Sequence, residues 1–496
     1  MNHKLESSPN KQYTVGIIGG GIAGATIAIR LSELGIKVIL LEKGKSLVNG
    51  PPICHLHAGG NLYREISDTQ CFTLLQESID LVQLYPQSVD YRPTLIAIPI
   101  EDKGLPRDLQ PRLKKLQAEY QRLINENPKN RVLGDPKDYY KYYDRNEVEY
   151  LAGTSINHPP ENLDEWMMYA AKKLDLDRLK FPLLMVQEYG LNIFRLAATA
   201  NMSLENNSNC TLVTQAKVQG ISSASNAHSN WNINYEQQGE TTQISVSFLV
   251  NACGFKTGSI DDMLAIKRNR MVEFKAAYIS KWDSFEGYLP EIIFHGTRGS
   301  KNGMAQLTPY PQGYFQIHGM TPEITLFKNG LVPSTKDSSQ PTLNKKFISK
   351  IEDHWNQQEV TDRTHNSIQH IAQFIPDFST AELGGIPLFG AQQIPGDDPD
   401  LRAANVAFSI PNYACCEIVK ASSTLSAANA ILDKLIQEHH IKDLDYPKTY
   451  YPITQNISET SIHTRSEHLC TERNYPIALA SRISQKETSQ QCSTVC

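Results

Sequence analysis

An apolar run, a cluster of glycines and a second apolar run ending in an acid open this chain. No other stretch limits its possible folds so strongly. Tyr13 to Ile18 reads as a buried strand, and Gly19-Gly20-Gly21-Ile22-Ala23-Gly24 as the turn that follows it. Ala25 to Leu34 has helical apolar spacing and stops at Gly35, and Lys37 to Glu42 is a second strand. Strand, helix and strand with short joints make a βαβ unit. Within it Gly19, Gly21 and Gly24 form G-x-G-x-x-G. The first glycine permits a tight turn, the second lets backbone approach a pyrophosphate, and the third lets helix pack on strand. The helix start offers N–H groups and a positive dipole end to the phosphates. Glu42 follows at close to the spacing of about 20 residues expected for a carboxylate that accepts from ribose hydroxyls. A glycine turn that merely packed a βαβ unit would give no reason for an acid at the end of an otherwise apolar strand.

The rest of the chain is ordinary globular material. Its 496 residues are 40% hydrophobic and 20% charged, with a formal net charge of −5. No basic stripe suggests nucleic acid. No run of about 18 apolar residues suggests a membrane span, though peripheral membrane contact stays open. Met1 to Gln12 lacks the apolar core of a secretory signal. The nine cysteines, without a C-x-x-C pair, read as reduced thiols of a cytoplasmic protein, with a redox role for Cys415-Cys416 the lesser reading.

Further along, helices are predicted over Thr69–Tyr85, Arg107–Asn125, Asp164–Leu179, Ile193–Met202, Lys345–Trp355 and Ile418–His439. Strands are predicted at Thr211–Val213, Lys217–Ile221, Trp231–Tyr235, Ile244–Val250, Arg270–Lys281 and Val406–Ile410, with a hairpin across Pro311-Gln312-Gly313. Beyond Lys442 the polar chain reads as a loosely held tail.

Several segments together resemble the D-amino-acid-oxidase-like flavoprotein superfamily: Val15 to Ala28, Val38 to Lys43, Lys217-Val218, Phe248 to Gly254 with its Asn-Ala-x-Gly end, and Gly384-Gly385-Ile386-Pro387. The resemblance implies FAD as cofactor, bound through Gly19, Gly20, Gly21, Ile22, Ala23, Gly24, Glu42, Lys43, Val218, Ala252, Gly254 and Gly385. The absence of a second G-x-G-x-x-G implies that the substrate itself reduces the flavin. His55-Leu56-His57-Ala58-Gly59-Gly60 is similar to a segment of the L-2-hydroxyglutarate and glycerol-3-phosphate dehydrogenase branches that lies over the flavin. By that likeness His57, Ala58 and Gly59 contact the ring, and His57 serves either as base or only as a cofactor contact. Covalent attachment through Cys54, His55 or His57 is a lesser reading.

His318 is a second candidate base. Arg298 and Arg402 are candidates to clamp a substrate carboxylate. Arg64 and Arg270 also lie near the motifs, although a structural ion pair is the commoner role for such arginines. Tyr310 and Tyr413 are candidates to line the pocket, with core packing as the default. Pro411 to Glu417 departs from the glycine-rich turn that the family often carries before its last helix.

The expected fold is α/β. A discontinuous Rossmann-like FAD-binding domain (13–100, 181–262 and 366–440) joins an antiparallel-sheet α+β substrate domain (263–365), with a helical insertion at 101–180 and a tail at 441–496. The expected reaction removes a hydride from a small-molecule substrate, a hydroxy acid or polyol, and passes electrons to a quinone, oxygen or another carrier. The alternatives are an amine or amino-acid oxidase, a flavin-binding protein without turnover, and a flavin-dependent RNA-modifying enzyme.

Overall fold

The computed structural model describes residues 13–50, 56, 66–224, 230–399, 401, 406–441 and 451–483. One sheet runs in the order β20 (Val406–Ala407), β21 (Tyr413–Cys416), β12 (Phe248–Asn251), β1 (Thr14–Ile18), β2 (Lys37–Leu41) and β8 (Cys210–Val213). All its pairs are parallel except β20 with β21. The chain passes from β1 through α1 (Ile22–Glu33) to β2, steps outward to β8, and returns on the other side of β1 as β12. Strand order therefore reverses between β1 and β12, and the crevice at their C-terminal ends is where open parallel sheets take ligands.

β1 and β2 are apolar because both sheet faces are covered. On one side α1, α6 (Ile193–Glu205) and α10 (Thr424–Gln437) enclose Val15, Ile17, Val38 and Leu40, with α2 (Asp68–Leu84) and α3 (Gln110–Glu126) extending the same core. On the other, the antiparallel sheet β11 (Glu240–Val246), β10 (Trp231–Gln237) and β9 (Lys217–Ser223) packs on Ile18, Leu41 and Leu249.

The second large sheet has ten strands. Eight follow the order β17 (Leu331–Pro333), β13 (Arg270–Lys281), β16 (Tyr314–Gly319), β15 (Ala305–Pro309), β14 (Glu291–Phe294), β4 (Thr94–Pro99), β6 (Leu179–Val186) and β5 (Tyr140–Tyr143). The other two, β18 (Glu382–Leu383) and β19 (Leu388–Pro395), pair with β13. It is antiparallel apart from the β14–β4 pair. A short ladder joins β3 (Val89–Asp90) to β7 (Gly190–Leu191). Alternation splits the large sheet into two faces. Leu95, Leu183, Met185, Ile292, Leu307 and Ile317 turn outward beneath α4 (Arg145–Ala152), α5 (Leu163–Ala171) and α9 (Gln357–Ala372). Near β13, α8 (Lys345–Glu352) stacks Phe347 on Phe274 at 4.9 Å. The opposite face carries Ile96, Leu184, Ile279 and Leu388 into the core of the parallel sheet. That inner face is thus aimed at the dinucleotide half.

The hairpin forms as expected, with Gln312 and Gly313 at φ 61° and 71°, and β13 spans the expected residues. Other elements differ. The helix expected over Asp164–Leu179 stops at Ala171; Asp175 then accepts from the N–H of Asp177 to make a short turn, and from Leu179 the chain is a strand between β4 and β5. The run 244–250 divides at Ser247, whose N–H donates to the carbonyl of Thr14 at 2.8 Å where the chain passes from the small sheet into the parallel one. The expected strand Val406–Ile410 reduces to Val406–Ala407, and the helix expected over Ile418–His439 begins at Thr424 and ends at Gln437.

The expected loose tail is corrected over residues 451–483. A short helix, α7 (Thr257–Met263), follows β12; the expected tail forms α11 (Pro452–Gln455) and α12 (Glu459–Glu472), and α12 packs on α6. Ile462, Ser466, Leu469 and Cys470 are buried, a one-sided helical stripe too narrow to stand out in a polar sequence. Among the described residues, no helix is long and apolar enough to cross a membrane.

Candidate dinucleotide and substrate site

At the end of β1, Gly19 adopts φ +101°, and a Cβ there would sit 2.5 Å from the carbonyl oxygen of Ala252. A Cβ on Gly20 would lie 2.4 Å from Leu47 Cδ2, and one on Gly24 would lie 1.9 Å from the Gly19 oxygen. Gly19 and Gly24 are therefore forced by backbone packing within the protein, whereas the atom nearest Gly20 is the end of a flexible side chain. Gly21 is different: among the described residues nothing lies within 4 Å of a Cβ placed there. It caps α1, whose first turn carries no acid and receives no side-chain cap. The first-turn N–H groups of a helix have no partner within the helix, so this open cradle suits an anion.

Glu42 stands at the tip of β2. One carboxylate oxygen accepts from the N–H of Gly20 at 2.5 Å and the other from the N–H of Gly44 at 2.6 Å. A carboxylate has about four lone-pair positions, so capacity remains for ribose hydroxyls. The N–H groups of Gln215 and Ala216 donate to the carbonyls of Gly44 and Glu42, which lays the approach to β9 and Val218 beside this tip. Lys43 is exposed and pairs with Glu352 at 2.9 Å.

The second motif meets the first directly, because the Ala252 N–H donates to the Ile18 carbonyl at 2.9 Å. Gly254 follows at φ +55°. Asn251 is buried, and its amide donates to the carbonyl of Thr257 and to Tyr413 Oη, at 2.9 and 2.8 Å. Tyr413 in turn donates to Asp261, so it belongs to a core network and not to a pocket wall. Arg270, 1% exposed, pairs with Asp261 and with Glu417 at 3.1 Å; it is an interior tie and not a substrate clamp. The Pro411–Glu417 stretch that departs from the family supplies β21 and this network. Cys415 and Cys416 are buried within it, and burial pushes the Cys416 thiol up to about 12.

Gly384 and Gly385 lie against the end of β13. The Gly384 N–H donates to the Ile279 carbonyl at 2.8 Å, and a Cβ on Gly385 would be 3.2 Å from Pro476 Cδ.

His318 lies on the inner face of the large sheet, next to Gln306 on β15. Burial pushes its imidazole down to about 3, helped by the cations Lys275, Lys420 and Arg298 and opposed by Glu273. Arg298 pairs with Glu273, which also meets Lys275 at 3.3 Å. Tyr310 is buried in the core shared with the dinucleotide half. Its hydroxyl donates to Gln316 Oε1 at 3.4 Å. On the same sheet, Thr308 Oγ1 is buried with no hydrogen-bond partner among the described residues. His57, Ala58, Gly59, Arg64, Arg402, Cys54 and His55 lie outside the described residues.

Sequence reasoning missed Leu47, Val48 and Arg473. Arg473 donates to the loop after β2 that packs on Gly20. No sequence signal marks an arginine in a polar stretch for such a role.

With β8, β2, β1, β12 and β21 counted in chain order, the sheet reads 3-2-1-4-5 with the glycine turn at its reversal, and it faces the inner surface of a large sheet. This arrangement defines a Rossmann-type dinucleotide-binding enzyme. Residues 14–148 match the family described as DAO, FAD dependent oxidoreductase. The open cradle at Gly21 and the anchored Glu42 fit FAD. No curated protein sequence matches the chain. Among solved structures, it is similar to glycine oxidase from Geobacillus kaustophilus, with 13% identity, TM-score 0.53, and 90% of this chain and 100% of that one covered. It is similar to glycerol-3-phosphate dehydrogenase from Bacillus halodurans complexed with FAD, at 13%, TM-score 0.51, and coverage of 94% and 72%. For L-α-glycerophosphate oxidase from Mycoplasma pneumoniae with FAD bound the values are 15%, TM-score 0.52, and 88% and 98%. At these identities the likeness establishes the fold.

Proposed function

We propose that this FAD-dependent oxidoreductase removes a hydride from the carbon bearing a hydroxyl in a small anionic hydroxy acid or polyol derivative, and passes the electrons to a quinone, oxygen or another carrier. The observation that carries the reading is His318, held neutral on the inner face of the large sheet among Lys275, Lys420 and Arg298. A neutral imidazole accepts the hydroxyl proton as the hydride leaves. The surrounding cations attract a carboxylate or phosphate and hold it against that face. When bound, FAD supplies the hydride acceptor. The inner face excludes water through Tyr310, Ile279 and Leu388, all in the shared core. In this proposal Arg298 and Arg402 orient the substrate anion, and His57 contacts the cofactor or shares the base role. A cytoplasmic location belongs to the same reading.

Amine oxidation is the second reading. It is supported by the same neutral His318, which would take the proton that an amine substrate releases in place of a hydroxyl proton. The test is anaerobic bleaching of the purified yellow protein by a panel of hydroxy acids, polyol phosphates and amino acids. Bleaching by hydroxy compounds alone supports the first reading, and bleaching by amino acids alone replaces it with the second. No bleaching by any of them removes both.

A further inference from the structure

The segment after α10 is not needed to complete either sheet, yet it touches two separated parts of the cofactor half. At the end of α12, Arg473 Nη1 donates to the Val48 carbonyl at 3.0 Å, and Nη2 donates to Ser46 Oγ at 3.0 Å and to the Leu47 carbonyl at 2.8 Å. Two residues further on, the chain reaches the Gly384–Pro387 segment. Tyr475 donates to the Pro387 carbonyl at 2.8 Å, and Pro476 abuts Gly385. Residues 479–483 are pinned by Asn192, whose amide donates to the carbonyls of Leu479 and Ser481, and by the Ile483 N–H, which donates to Asp90.

The loop that Arg473 grips is strained. Val48 is β-branched and sits at φ +58°, a region such residues rarely occupy. Its N–H donates to the Gly20 carbonyl at 2.9 Å. A trans peptide points its C=O and N–H in opposite directions. By fixing the Gly20 carbonyl, Val48 turns the Gly21 N–H toward the opposite side of that peptide plane, at the glycine whose Cβ direction is open. Left-handed conformations of this kind persist only where the surroundings hold them. Here the holding group is a guanidinium contributed by a segment more than four hundred residues away in sequence.

We propose that residues 451–483 form a strap that completes the dinucleotide site, and that Arg473 is a positioning residue which keeps Val48, and through it the Gly20–Gly21 peptide, in the geometry that receives a diphosphate. The inference rests on the FAD site and not on the substrate proposed above, so bleaching experiments do not decide it. Strap docking and FAD binding are then linked, each favouring the other.

The experiment measures FAD affinity of the full-length apoprotein by quenching of flavin fluorescence. Arg473→Met should weaken binding at least about tenfold, the scale of losing several neutral-acceptor hydrogen bonds, with the apoprotein melting temperature nearly unchanged. Adding Val48→Gly should restore most of the lost affinity, because glycine adopts the left-handed conformation without help. Arg473→Met binding FAD within twofold of wild type overturns the proposal. So does weakened binding that Val48→Gly fails to recover, which would mark Arg473 as merely structural. If Arg473→Met does not fold, limited proteolysis of the wild-type protein decides: FAD should slow cleavage within the strap, and equal rates with and without FAD overturn the linkage.

Discussion

Gly24 stands so close to Gly19 that a methyl group on its α-carbon would fall 1.9 Å from the Gly19 carbonyl oxygen, whereas the same methyl on Gly21 would meet nothing within 4 Å among the described residues. Two glycines of one motif thus answer to different demands. Gly24→Ala forces α1 away from β1, and overpacking of this kind costs about 1–3 kcal/mol or more. It should lower the melting temperature of the apoprotein and the FAD content together. Gly21→Ala has room and an allowed φ of −61°. It should leave the apoprotein melt unchanged and abolish FAD binding, because the methyl occupies the cradle. Thermal melts of both apoproteins, paired with the absorbance of bound flavin, separate the two. Equal behaviour of the two variants would refute the division.

Arg270 offers a contrast with Arg298. Removing the Arg270 guanidinium leaves Asp261 and Glu417 buried without their shared cation. Breaking a buried pair from one side costs ~3–5 kcal/mol. Arg270→Met should therefore lower stability by that order, as read by denaturant unfolding. The Arg298 side chain is 37% exposed and pairs with Glu273 at the edge of the inner face. Arg298→Met should change stability little and raise KM for an anionic substrate roughly tenfold, the scale of one charge-assisted hydrogen bond. An unchanged KM would assign Arg298 to the Glu273 pair alone.

The nucleotide half was legible because its signals are local. The β1 strand, the glycine turn, α1, β2 and Glu42 lie within thirty consecutive residues, and each is fixed by near neighbours in sequence. The strand end at Asn251-Ala252 could be read for the same reason. What failed depended on distant partners. Leu179–Val186 has the apolar content of a helix end, and only pairing with β4 and β5 makes it a strand. The structural ion pair that is the commoner role for Arg270 was foreseen, but only the fold names Asp261 and Glu417 as its partners. α12 hides a narrow buried stripe in a polar stretch, and Arg473 acts through carbonyls that no sequence pattern can name. His318 was visible as a residue type, but its neutral state depends on Lys275 and Lys420 arriving from other elements.

Asp80 supplies a pH test of the α2 packing. Burial raises its carboxyl to about 6, the nearby Glu77 carboxylate adds to the rise, and a hydrogen bond from Gln76 opposes it. An unfolded aspartate titrates near 3.9. Between roughly pH 4 and pH 6 the folded protein therefore keeps a proton that the unfolded chain has released. Stability falls as pH rises through that interval and is flat on either side of it. Asp80→Asn does not titrate, so its melting temperature should exceed that of wild type above pH 6 and match it below pH 4. Melting curves at pH 3.5, 5 and 7 suffice. A difference of the same size at all three would mean that the substitution acts through packing.

His318 makes the most demanding case, because its depressed imidazole bears on stability and on chemistry in opposite ways. The unfolded chain binds a proton at this histidine below about pH 6.5, whereas the folded protein declines it until about pH 3. The group thus contributes stability above pH 6.5 that is lost as pH falls toward 3. His318→Asn should remove that acid-side loss. In catalysis the same depression keeps the imidazole ready to accept a proton across the neutral range. The variant should therefore lose roughly 10²–10⁴-fold in kcat/KM, with FAD content intact. Lys275→Met removes the cation that opposes the charged imidazole most strongly and lets it titrate higher, so the acid limb of the kcat/KM profile should move to higher pH. If the limb stays where it is in Lys275→Met while His318→Asn is inactive, the proton acceptor is another group, and His318 only shapes the pocket.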